Sequence, residues 1–220
     1  TVSYTTTVGV SDAAYKSRMM DGVQLATYLN DFNRSRGLAP NDPEYYSPDE
    51  LEYFRNNNHN WFDMAWKPSL NTRHAVNISG GTERATFFAG ATYFAQNGNV
   101  DNISYKKWNF RASTDVNVTK HIKVGLGVSG NLSDNKLFYL KQGGENVEKD
   151  VTNLLNTPQF IPPYVDGLPV LLPGGSGATG FHFFEAQKLN NYTRSRNVVL
   201  NVNAYLEYNV PFVPGLMIRT

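Results

Sequence analysis

The sequence predicts an all-β chain: a long-stranded antiparallel transmembrane β-barrel, incomplete at about seven strands, whose two long external loops carry short helices. Three observations predict this. Side chains alternate with a period of two over runs of about 13 residues, connections fall into two length classes, and the polar faces carry Asn, Ser, Gly and Thr rather than Lys and Glu.

The chain is read as one part of a single β-barrel domain spanning 1–220, with strands at about 2–10, 73–80, 84–96, 104–118, 121–133, 194–210 and 216–220. The long loops are 11–72 and 134–193. In the first strand Val2, Tyr4, Thr6, Val8 and Val10 alternate with Ser3, Thr5, Thr7 and Gly9. Within the first loop, Val23, Leu25, Ala26, Leu29 and Phe32 have a weak helical spacing. Ser47, Pro48 and Glu50 form a sharper helix start, combining an N-cap, a proline at the first helical position and a capping-box glutamate.

His74, Val76 and Ile78 give the second strand its apolar face, and Gly80-Gly81 supply a tight turn. The third strand is apolar on both faces, and Phe87, Ala89, Ala91 and Tyr93 are assigned to its outward side. In the fourth, Trp108, Phe110, Ala112, Thr114, Val116 and Val118 oppose Lys107, Asn109, Arg111, Ser113, Asp115 and Asn117. In the fifth, Ile122, Val124, Leu126, Val128 and Leu132 oppose Lys123, Gly125, Gly127, Ser129 and Asn131. Val198, Leu200, Val202, Ala204, Leu206 and Tyr208 mark the sixth, and a seventh begins after Pro211–Gly215.

The connections run about 60, 4, 7, 2, 60 and 5 residues, against a usual ~4–6. Every even-numbered one is short. In an up-and-down sheet these share one end, so one rim carries tight turns and the other the long loops, as in outer-membrane barrels. Strands of ~13 residues, rising ~3.4 Å each at a ~40° tilt, climb ~34 Å and cross an apolar band of ~25 Å with a margin. Tyr93, Tyr105, Trp108, Tyr208 and Phe212 lie towards strand ends, where an aromatic girdle sits. The alternative architecture is a secreted, soluble carbohydrate-binding β-sandwich, in which Val124, Leu126, Val128, Leu200 and Val202 would pack on a second sheet.

Charge excludes other classes. Twenty basic against 19 acidic residues leave a net +1 and no reason to expect a nucleic-acid partner, and zero cysteines exclude a disulfide scaffold. His59, His74, His121 and His182 lack metal-ligand spacing, and no Ser, His and acid arrangement is legible, so no catalytic residue, cofactor or metal is assigned. A barrel-embedded enzyme would need a Ser and a His brought together across neighbouring strands. Asp42, Glu44, Asp49, Glu50 and Glu52 do not have EF-hand spacing. Asn-x-Ser/Thr triplets at Asn77, Asn102, Asn117, Asn131 and Asn191 reflect polar faces rather than glycosylation. The chain begins and stops inside strand-like patterns, which predicts a segment of something longer.

Two sets of candidate contact residues follow. Aromatic side chains stack on sugar faces, so Phe181, His182, Phe183, Phe184 and Tyr192 are candidates for an external ligand surface, with packing of the loop on itself as the other reading. Arg111, Asp115, Asn201, Asn203, Tyr205 and Glu207 face the lumen by alternation, where they line a transport path or bond an internal plug.

The runs His74-Ala-Val-Asn-Ile-Ser-Gly-Gly81, Phe88-Ala-Gly-Ala-Thr-Tyr-Phe-Ala-Gln-Asn-Gly98 and Trp108-Asn-Phe-Arg-Ala-Ser-Thr-Asp115 resemble the SusC/RagA family of TonB-linked outer-membrane transporters. Trp61-Phe-Asp63 and the Thr-rich opening strand look like the part of that family just after its plug. The resemblance is strongest from Trp61 to Leu132 and leaves the two long loops unmatched. It implies a barrel of about 22 strands with a plug, of which this chain supplies strands one to seven and lacks the plug. It also implies outer-membrane lipids, a SusD-like surface lipoprotein and TonB, through the missing N-terminal region, as partners. The implied activity is nutrient uptake, the active import of glycans, or of peptides, across the bacterial outer membrane.

Overall fold

The computed structural model describes residues 1–138, 147–171 and 182–220. Among these, seven strands form one antiparallel sheet: β1 (Val2–Ser11), β2 (Ser69–Gly81), β3 (Ala85–Asn97), β4 (Ser104–Asn117), β5 (Ile122–Phe138), β8 (Tyr192–Asn209) and β9 (Met217–Arg219). They pair in that order, each with its predecessor, as an up-and-down meander. A small hairpin, β6 (Tyr164–Val165) with β7 (Leu168–Pro169), lies within the second long loop.

Register sorts the side chains into two faces. Ile78, Ala89, Ala112, Val128 and Val202 form one continuous row across five strands, and Val76, Ala91, Phe110, Gly130 and Leu200 form the next. Phe87, Ala89, Ala91 and Tyr93 share this apolar face, which leaves Phe88 and Phe94 on the polar one. Tyr105 also lies on the polar face, opposite Gln96 and Asn135, and therefore stands apart from Trp108 in any girdle.

Nothing in the sheet covers the apolar face. Leu200 is 63% exposed and Val202 60%, Leu126 is exposed, and Val124 and Val128 are half-buried. Among the described residues the only other sheet is the two-stranded hairpin in the loop. The described residues hold no packed second sheet of the kind that a sandwich requires.

The strands run further than their hydropathy. β2 starts at Ser69 rather than 73, because Ser69–Thr72 continue the ladder with Val8–Ser11. β5 continues to Phe138 rather than 133, and β8 begins at Tyr192. Past Leu132 the apolar-face positions become Asp134 and Lys136, so the period-two hydropathy signal stops while backbone pairing goes on.

Two rims result. Residues 82–84, 118–121 and 210–216 make the turn rim, while 12–68, 98–103 and the described stretches 147–171 and 182–191 lie at the loop rim. The first long loop holds α1 (Gly22–Ser35), α2 (Pro48–Asn56) and α3 (Trp61–Ala65). Asp21 caps α1 in a capping box with Gln24, and Ser47 does the same for α2 with Glu50. The second long loop contributes α4 (Val147–Asn156) and α5 (Phe183–Lys188). The hydrophobic core sits here at the loop rim: Trp61, Phe62 and Ala65 meet Val100, Phe138, Leu154, Phe183 and Ala186.

Candidate functional site

On the polar face the pleat stacks side chains in rows. Arg111, Ser129 and Asn201 form one row, Ser113, Gly127 and Asn203 the next, then Asp115, Gly125 and Tyr205, then Asn117, Lys123 and Glu207. All six residues predicted to face the lumen therefore share this face. Four of them, Arg111, Asp115, Asn203 and Tyr205, line one open groove of about 480 Å³ together with Arg219.

Gly125 shapes the groove. A Cβ there would lie 2.0 Å from the Tyr205 ring, so the missing side chain lets the ring lie across the strand. From that position the Tyr205 hydroxyl donates to Asp115 Oδ1 at 2.7 Å. Lys123 Nζ stands 4.0 Å from Asp115 Oδ2, and the Arg219 guanidinium lies 4.0 Å from the Tyr205 ring centroid. A carboxylate, a phenol and two cations thus form one linked set, suited to polar contacts with a facing chain or solute. Lys123, Gly125 and Arg219 were absent from the sequence-based set. Alternation placed Lys123 on the face, but the contacts depend on register, which sequence does not display.

Above the sheet, the two long loops lock together. The Trp61 indole N–H donates to the Ile161 carbonyl at 2.8 Å, and its ring stacks on Phe184 at 5.4 Å. His59 N–H donates to the Gln159 carbonyl at 2.7 Å, and the Asn58 side-chain amide donates to Gln159 Oε1 at 2.7 Å. Asn102 in the short β3–β4 connection donates to the Gln187 carbonyl at 2.9 Å. Trp66 donates to Asp12 at 2.7 Å, and this bond holds the Asp12 carboxyl below the ordinary range. Asp150 on α4 is only 7% exposed, and burial raises its pKa to about 6.

The five predicted ligand-surface residues separate. His182 and Phe183 are buried, His182 bonding the Pro163 carbonyl through Nε2 at 2.6 Å while Nδ1 accepts from Glu185 N–H at 3.2 Å. That pattern assigns the Nε2–H tautomer and an interior role. Phe184 is half-buried against Trp61. Tyr192 pairs with Phe138 at the top of β8, on the apolar-face side of the sheet, with Lys136 Nζ 4.3 Å from its ring centroid. Phe181 lies outside the described residues.

No protein-family model matches the chain. The TonB-dependent receptor P26 of Formosa agariphila is 28% identical over 115 residues, covering 51% of this chain and 11% of the relative. The TonB-dependent receptor P3 of the same organism is 32% identical over 76 residues, covering 34% and 8%. The RagAB peptide transporter superposes with a TM-score of 0.70 at 17% identity, covering 99% of this chain and 27% of that one. The RagAB peptide importer in its open-open state gives 0.68 at 18% identity, covering 99% and 26%. The chain is thus similar in sequence, over part of its length, to TonB-dependent receptors, and it shares the fold of the matching quarter of the RagAB structures. It spans about a tenth of the length of the curated relatives it matches and about a quarter of the solved structures. The fold shared with those structures is the seven-stranded meander, with the locked loops along one of its rims.

Proposed function

We propose that this chain is one wall of an outer-membrane barrel that imports a nutrient with energy delivered through TonB. The observation that carries the reading is the exposed apolar face of the sheet, backed by a polar face and by long loops on one rim only. The apolar face meets lipid, and the polar face turns to the lumen. Arg111, Asp115, Asn201, Asn203, Tyr205 and Glu207 then face a plug supplied by another part of the full-length protein, and the Asp115–Tyr205–Arg219 set anchors it.

The cargo is a glycan or a peptide. RagAB is named as a peptide importer, which favours a peptide, while the exposed aromatic side chains of the loop layer suit a glycan. Recognition falls to the outer surface of the loop layer, since His182 and Phe183 are inside it. A SusD-like surface lipoprotein covers that surface. The chemistry is capture and release with no covalent step.

The test is fractionation and growth with the full-length protein. Recovery in the outer membrane, release only by detergent, and loss of growth on defined oligosaccharides or on peptide mixtures when the gene is deleted are expected. Recovery as a soluble protein overturns the reading.

A further inference from the structure

The apolar face changes character at the loop rim of β4, β5 and β8. On β5 its positions from Ile122 to Leu132 carry no charge, and on β8 the same holds from Tyr208 to Val198. That uncharged stretch climbs ~26 Å at ~3.4 Å per residue and a ~40° tilt, close to the ~25 Å apolar band of an outer-membrane barrel. The next row on the same face is Lys106, Asp134 and Arg196, followed by Ser104, Lys136 and Arg194, with Tyr192 above. Four cations and one carboxylate therefore stand immediately above the band.

The carboxylate organises the arginines. Arg194 Nε donates to both Asp134 oxygens, at 2.8 and 3.0 Å, its Nη2 donates to Oδ2, and Arg196 Nε reaches Oδ2 at 3.1 Å. Lys136 Nζ donates to Asn190 Oδ1 at 3.1 Å and covers the Tyr192 ring. Among the described residues Lys106 has no ion-pair partner. Most of these groups line one hollow of about 230 Å³, large enough for a phosphate group. One carboxylate against four cations leaves an excess of positive charge on a face otherwise uncharged, and both guanidiniums are more than two-fifths exposed.

We propose that this hollow binds the phosphate of an outer-leaflet lipid headgroup. The inference rests on the outer-membrane reading, which orients this face to lipid and this rim outward. Arginine forks and a lysine ammonium match phosphate oxygens, and cations at this height meet headgroups rather than hydrocarbon. Tyr192 adds an aromatic side chain of the kind that settles at the headgroup level. A lipid engages the site twice, with its phosphate in the hollow and its acyl chains along Trp108, Leu132 and Val198. A free anion engages it only once.

The test uses the full-length protein in neutral detergent, with bisphosphorylated lipid A, its fully dephosphorylated form and inorganic phosphate as probes, and equilibrium binding as the readout. Wild type is expected to hold lipid A and to prefer it over the dephosphorylated form. Each cation contributes roughly five-fold, so Lys106→Gln alone weakens binding several-fold without breaking an ion pair. The combined K106Q/K136Q/R194Q/R196Q variant weakens it by more than ~30-fold. Equal binding by wild type and both variants, or equal binding of dephosphorylated lipid, overturns the site. Displacement of lipid A by inorganic phosphate at matched phosphate concentration also overturns it, in favour of a free-anion site. Heat-modifiable gel migration monitors folding of the combined variant. Fractionation of wild type separates the two failures, because a soluble wild type removes the outer-membrane reading itself, whereas a membrane-bound wild type indifferent to these substitutions removes only the lipid site.

Discussion

In the wall, Val198, Leu200 and Val202 stand exposed along one face of β8; in the loop layer, Trp61, Leu154 and Phe183 are sealed from solvent. Two parts of one chain use apolar side chains in opposite directions. The wall arranges them outward, in rows set by register, for a surrounding that the chain itself does not supply. The loops arrange them inward, as a small water-soluble domain does. The buried core of this segment therefore lies in its connections, and the long strands between them bury little. Substitutions should separate the two regions cleanly.

The largest effect is expected at Trp61, which is 0% exposed and bonded to the Ile161 carbonyl. Trp61→Ala removes the ring that joins both loops and destabilises the loop layer by about 3–5 kcal/mol. Limited proteolysis should then cut between α1 and α3, while heat-modifiable migration of the barrel stays as in wild type. If the barrel melts together with the loops, the two regions are one cooperative unit and the comparison fails.

Next comes a pair of neighbours in β8. Val202→Arg places a cation on the apolar face near the middle of its uncharged stretch and should cost about 2–4 kcal/mol in vesicle folding titrations. Asn203→Arg, one residue along and on the polar face, should cost less than about 1 kcal/mol. Equal costs would mean that the two faces meet the same solvent.

A smaller effect, confined to the loops, comes from Asp150. Its folded pKa of about 6 lies above the ordinary 3.8, so its contribution is fully present below about pH 4 and is lost as pH rises through 6. The loop layer should loosen between about pH 4 and 6, seen as faster hydrogen exchange along α4, with wall strands unchanged. Asp150→Asn should flatten that dependence and stabilise the layer at pH 8 by about 1–3 kcal/mol, because the buried group no longer has to ionise.

The wall was legible because its rule is local. Period two in Ile122–Leu132 and Val198–Tyr208 fixes both element type and face, and connection lengths fix which rim each loop joins. Local end signals worked as well, since Ser47-Pro48 with Glu50 starts α2 where it is found. The loop core was not legible, because Trp61 meets Phe184 and Leu154 joins the same cluster across a separation in sequence that carries no period. His182 shows the cost. Its aromatic neighbours suggested a ligand surface, whereas its φ of 46° and its two hydrogen bonds make it the buried cap of α5. Strand ends failed for the opposite reason, as pairing through Asp134 and Lys136 outlasts the apolar pattern.

The smallest expected effect tests whether the polar face is organised or only wet. Tyr205→Phe removes one hydrogen bond to Asp115 on a solvated surface and should cost about 0.5–1 kcal/mol. Gly125→Ala should cost a similar amount by a different route, because its Cβ displaces the Tyr205 ring and so breaks the same bond. If ring and gap form one device, the two losses overlap, and the double variant should cost about as much as either single one. Strict additivity in a double-mutant cycle would mean that Gly125 serves the strand alone. The cycle is best run in the full-length protein with and without the proposed plug, since a plug bonded to Asp115 or Arg219 would enlarge both single costs and leave those of Val202→Arg unchanged.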